Sequence, residues 1–141
     1  MRVGKAAAKA IIECVKAVGD LSSNKSIKIT TEKLLSHLKM SFEYVSDAIE
    51  GAFVLQFVKK EEVLSLTVIG KKIANSTTHE AKDIFRTQMK KLPFIVQLKK
   101  FIHKENDFEN SVRKIIKEFD IKGEEKDIIY SFKNWMRFAN L

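Results

Sequence analysis

A chain of 141 residues has room for one compact domain or for two very small ones sharing a core, and 45% hydrophobic residues suffice for a folded interior. No apolar run approaches the ~20 residues of a membrane span. The lone Cys14 excludes an internal disulfide, so a reducing, cytoplasmic setting is expected. The formal net charge of +8 is evenly spread, with 12 Lys and Arg against 8 Asp and Glu up to Ser76 and 14 against 10 beyond it. Such a balance permits contact with nucleic acid or an acidic surface without demanding it, and the presence of only four arginines (Arg2, Arg86, Arg113, Arg137) disfavours base-edge readout.

The N-terminus, MRVGKAAAKAIIECV, begins basic and turns apolar like a signal peptide, but Glu13 and Lys16 interrupt the run. Ala8, Ile11, Ile12, Val15 and Val18 instead predict an amphipathic helix over 5–19, ended by Gly19 and followed by a polar loop, Asp20 to Lys25. Ile27-Lys28-Ile29 alternates as a short strand would. Thr30 or Thr31 then caps a helix over 31–38, Lys39-Met40-Ser41 turns, and Ser41 caps a third helix over 42–52 with Phe42, Val45, Ile49, Ala52 and Phe53 on its core face. Two apolar runs, 54–58 and 63–66, flank Lys59-Lys60-Glu61-Glu62 and predict a hairpin, after which Thr67 caps a helix to Ala74. From Thr77 onward the pattern is helical. One helix starts near His79, and Pro93 ends or kinks it. A second carries Phe94, Ile95, Leu98, Phe101 and Ile102. A third spans 107–119, with Asn106 and Glu109 as a capping box. After a turn at Asp120 to Gly123, the last helix spans 124–139 with Ile128, Ile129, Phe132, Trp135, Met136 and Ala139 inward. The expected fold is mainly α with a small β-hairpin wing. A winged helix-turn-helix (1–76) is followed by a helical C-terminal unit (77–141) packed on it as one compact domain, the latter a second winged helix without a full wing.

No catalytic constellation is present. His37, His79 and His103 lie on different helices, no Cys or His spacing suits a metal, no glycine-rich loop precedes Lys-Ser or Lys-Thr, and no nucleophile has a base nearby. The chain is therefore expected to be no enzyme and to need neither metal nor cofactor. The outer face of the third helix, which a winged helix would insert into the major groove, carries Glu43, Asp47 and Glu50 within about 60°. These acids would face phosphates, and the wing-tip cations Lys59 and Lys60 are offset by Glu61 and Glu62. The face suits a basic protein partner or plain solvation better than DNA. On the last helix Lys126, Tyr130, Lys133 and Arg137 form a basic, aromatic stripe, joined by Arg113, Lys114 and Lys117 of the helix before it. This is the surface expected to meet nucleic acid or an acidic partner. The two opposite charges could join copies head to tail as a homodimer.

Taken together, these residues resemble the AAA-associated C-terminal domain, a family found behind the ATPase of nitrate/taurine-type ABC transporters and also as free-standing small proteins. The resemblance runs from about Thr30 to Leu141. Its carriers are Leu55-Gln56-Phe57-Val58, Leu66-Thr67-x-x-Gly70-Lys71, Lys82-Asp83-Ile84-Phe85-Arg86-x-Gln88 with Leu92-Pro93, and Trp135-Met136-Arg137-Phe138-Ala139. Met136 stands where the family usually has glycine, and the chain ends before the tyrosine-containing strand that often follows. No ATPase domain precedes the family region in these residues, so the resemblance does not carry ATP hydrolysis. It implies a non-catalytic regulatory module, acting on a transporter ATPase in trans. A winged-helix DNA-binding regulator is the alternative.

Overall fold

The helical periodicity of the chain is realised as eight helices and one hairpin in the computed structural model, which describes residues 1–141. In order these are α1 (Ala8–Ser22), α2 (Thr31–Leu38), α3 (Phe42–Val54), β1 (Val58–Lys60), β2 (Leu64–Leu66), α4 (Val68–Ala74), α5 (Thr78–Lys91), α6 (Pro93–Glu105), α7 (Phe108–Glu118) and α8 (Glu125–Phe138). The helix-turn-helix is α2 and α3. Thr30 Oγ1 accepts from Lys33 N to start α2, left-handed Lys39 ends it, and Ser41 Oγ accepts from Tyr44 N to start α3. The wing is β1 and β2, antiparallel, with Val58 opposite Leu66 and Lys60 opposite Leu64. The protein is thus mainly helical with a winged-helix hairpin. Between α7 and α8 the chain makes only an isolated bridge, Lys122 with Arg2, and no second wing.

Four sequence expectations are corrected. Gly19 does not end α1: a Cβ there would stand 2.8 Å from that of Ala74, so this glycine lets α1 and α4 approach, and the helix continues to Ser22. Ile27–Ile29 forms no strand. Leu64 N donates to the Ile29 carbonyl (2.7 Å), but Thr30 begins α2 at once and the ladder stops after one bond. The apolar run 54–58 is mostly not strand. Val54 closes α3, Gln56 is left-handed (φ 66°), and Phe57 N donates to Ala52 O (2.8 Å) while Gln56 N donates to Phe53 O (3.0 Å). This is a Schellman termination with an apolar residue behind it. It recurs at Asp120 and Asn140, where Ile121 N reaches Ile116 O and Leu141 N reaches Met136 O. Finally, the capping box lies at Thr77 and Glu80, at the start of α5. Asn106 is instead the left-handed end of α6, and Asp107 caps α7.

Residues before α1 cross to the other end of the chain. Val3 N donates to Lys122 O, Ser131 Oγ bridges Gly4 O and Ala6 N, and Asn134 Oδ1 accepts from Ala8 N at 2.8 Å, capping a helix whose own Ala7 cannot. The larger core cluster accordingly draws on both sides of Ser76, from Val3, Ile11 and Phe57 to Phe85, Phe132 and Trp135. A smaller one lies under the helix-turn-helix around Cys14, Val18, Leu34, Val45 and Ile49.

Candidate interaction surface

The buried side of α3 is set by α1. Val45, Ala48, Ile49 and Ala52 are buried, so the covered arc includes Ala48 and its far edge excludes Phe42 and Phe53. Both phenylalanines were expected in the core. Instead they are 63% and 47% exposed, three turns apart on one line of the helix. Ser46, Glu43 and Glu50 share that outer arc, and exposed Met40 sits on the turn before it. Nothing in the periodicity alone could place these edge residues, because both lie within one arc of genuinely buried neighbours.

The predicted charged residues fall into three environments. Glu50 is tied to the wing by an ion pair with Lys60, leaving Lys59 exposed beside it. Glu43 and Asp47 line a groove of about 510 Å³ with Glu124 and Asp127 of the first turn of α8, against Lys5 and Lys126. The acidic face of α3 and the start of the predicted basic stripe therefore share one groove, and Lys126 is itself 3.6 Å from Glu124. Farther along α8, Tyr130 lies under the Lys5 ammonium (5.1 Å), while Lys133 and Arg137 are exposed and make no ion pair. On α7, Arg113 is engaged by Glu109, Glu125 and Asn110, and Lys114 by Glu105 over the Phe101 ring; Lys117 is exposed. The eight predicted cations do not converge into one field.

Asp47 is held above the usual aspartate range, first by burial, against which the Lys5 backbone amide works, and further by Glu43 and Asp127. Gly4 backs onto its carboxylate. A carboxyl whose folded pKa is raised contributes stability that is complete below its ordinary value of 3.8 and lost as pH rises through the folded value. Asp47→Asn is therefore expected to raise Tm near neutral pH, with the gain vanishing at about pH 3. Melts of both proteins at the two pH values check this; an unchanged or lower Tm at neutral pH contradicts it.

No groups of three or more His, Cys, Asp or Glu are placed to hold a metal ion. Burial, with Glu13 adding, pushes the Cys14 thiol up to about 12, which leaves no thiolate for chemistry.

Several of the family-like residues act as ties within the fold. Thr67 Oγ1 donates to Gln56 O (2.6 Å) and accepts from Gly70 N (3.0 Å), locking the start of α4 against the end of α3. Phe85 packs between Phe57 and Phe138, Arg86 donates to the Ala139 and Asn140 carbonyls that end α8, and buried Gln88 donates to Leu55 O (3.0 Å). Trp135 Nε1 donates to Ala6 O at 2.8 Å. No curated protein and no solved structure matches the chain. A family model, described as the C-terminal AAA-associated domain, matches residues 21–141, a span that begins inside α1 and takes in all of these side chains, though not Ala6, the acceptor of the Trp135 bond. The chain belongs to the C-terminal AAA-associated domain family.

Proposed function

We propose that the protein is a non-catalytic, cytoplasmic interaction module that docks on the ATPase of an ABC transporter in trans and regulates it. The outer face of α3 would be the contact. Membership of an ATPase-associated family supports the class of partner. The observation that carries the choice of surface is the pair Phe42 and Phe53, both exposed on a helix face whose charged residues, Glu43 and Glu50, are acidic. Large aromatic side chains held in water on a rigid helix favour a protein partner. The flanking Glu43 and Glu50 favour a basic rim on that partner and repel a phosphate backbone.

The test uses an ABC ATPase encoded beside this chain. Co-elution in gel filtration and a change in ATPase rate are expected. Phe42→Ala with Phe53→Ala should weaken binding by roughly 100-fold, at about 1–2 kcal/mol for each aromatic anchor, and leave Tm nearly unchanged. Absence of binding, or binding indifferent to both substitutions, overturns this reading. A salt-sensitive shift of duplex DNA that is lost on removal of Lys133 and Arg137 would establish the DNA-binding alternative. A salt-sensitive dimer would point to self-association.

A further inference from the structure

We propose that the exposed face of α6, with the end of α5 ahead of it, is a peripheral docking surface for an anionic lipid membrane. Residues 84–104 contain Arg86, Lys90, Lys91, Lys99, Lys100, His103 and Lys104 and no Asp or Glu. Arg86 is occupied by the carbonyls at the end of α8. The other cations are all exposed and make no ion pair. The nearest acid downstream, Glu105, is paired with Lys114. Phe94, Ile95 and Leu98 fix one side of α6 in the core. At 100° per residue this places Val96, Lys99, Lys100, His103 and Lys104 together on the opposite side, within an arc of about 140°.

The chemistry of this face selects the partner. Its free cations are lysines and one histidine, with no arginine to fork a phosphate and no exposed aromatic ring to stack on a base, which disfavours nucleic acid. The well-formed grooves of the molecule lie elsewhere, none lined by a residue between 84 and 104, which disfavours docking of an acidic peptide in a recess here. Hydrated point charges on a convex helix match the diffuse negative potential of lipid headgroups, each lysine raising partitioning about fivefold. Val96, 38% exposed among the lysines, can reach headgroup depth. The apolar side of α6 stays in the core, so the contact is peripheral, and no helix is long and apolar enough to cross a membrane.

Flotation with phosphatidylcholine vesicles, with and without phosphatidylglycerol, tests this. The full chain should bind only the anionic vesicles and be released by salt. Combined Lys99→Glu, Lys100→Glu and Lys104→Glu should lower partitioning by more than about 100-fold, the factor expected for loss of the three lysines alone. The neutral set Lys99→Gln, Lys100→Gln and Lys104→Gln, which disturbs folding less, should lower it in the same direction. Combined Lys25→Glu, Lys28→Glu and Lys33→Glu, an equal change of net charge elsewhere, should lower it less than tenfold. No binding to anionic vesicles, or an equal loss in both Glu triples, overturns the proposal. So does a preference for duplex DNA of equal phosphate concentration that is lost in the α6 variants, which would reassign the face to nucleic acid.

Discussion

Trp135→Ala is expected to lower Tm by about 15 °C, the largest effect of any single substitution in this protein. The side chain is fully buried, its ring packs 5.4 Å from that of Phe132, and its Nε1 donates to the Ala6 carbonyl at 2.8 Å. Truncating a buried tryptophan costs about 4 kcal/mol, and at this chain length each kcal/mol moves Tm by about 4 °C. The loss should also be directional. The Ala6 carbonyl would lose its donor, so the N-terminal segment should exchange its amide hydrogens faster while the wing keeps its protection. Trp135→Phe, which keeps most of the packing and removes the donor, should cost about 1–2 kcal/mol. Circular-dichroism melts and native-state hydrogen exchange measure both. A Tm within a few degrees of wild type would show that α8 and the N-terminal segment are not coupled through this residue.

Gly70→Ala should lower Tm by about 10 °C, opposite in sign to the usual effect of that change. In an ordinary helix interior, alanine is better than glycine by about 1 kcal/mol. Here the added methyl would overlap the Phe57 carbonyl, a backbone atom that cannot swing aside because it accepts from Thr67 N at 3.0 Å. Helix α4 would have to lift from the end of α3, breaking the Thr67 bonds to Gln56 and Gly70. Overpacking of this kind costs about 3 kcal/mol. Thr67→Val, which removes the cap and the bond to Gln56 O without adding bulk at Gly70, should cost about 2 kcal/mol. Emission of Trp135, the sole tryptophan, follows the melts. A neutral or stabilising Gly70→Ala would mean that the Leu-Thr-x-x-Gly turn is not packed as described.

The proposed contact surface was only half legible in advance. Its acids were evident, since Glu43, Asp47 and Glu50 follow from helical spacing alone. Its aromatic half was not, because Phe42 and Phe53 sit at the margin of the apolar arc and the position of α1 decides which margin is covered. The lysine face of α6 was not singled out from the sequence, where only the apolar residues of this helix were read. It gained meaning only once its burial pattern was known and Glu105, the nearest acid downstream, was found paired with Lys114.

What the sequence determined by itself is local. The N-terminal caps Thr30, Ser41 and Thr67, the turn at Lys39 and the amphipathic stripes of α2, α7 and α8 all depend on residues within one or two helical turns. Even the misplaced capping box was an error of choice between two local signals. The tertiary structure decided what depends on distant partners. Gly19 faces Ala74, Gln88 reaches Leu55, and the first eight residues are held by Ser131, Asn134 and Trp135. Those bonds join residues more than 120 positions apart. No periodicity of 3.6 or 2 residues encodes such a pairing, because it is fixed by where whole helices come to rest once their apolar faces are buried.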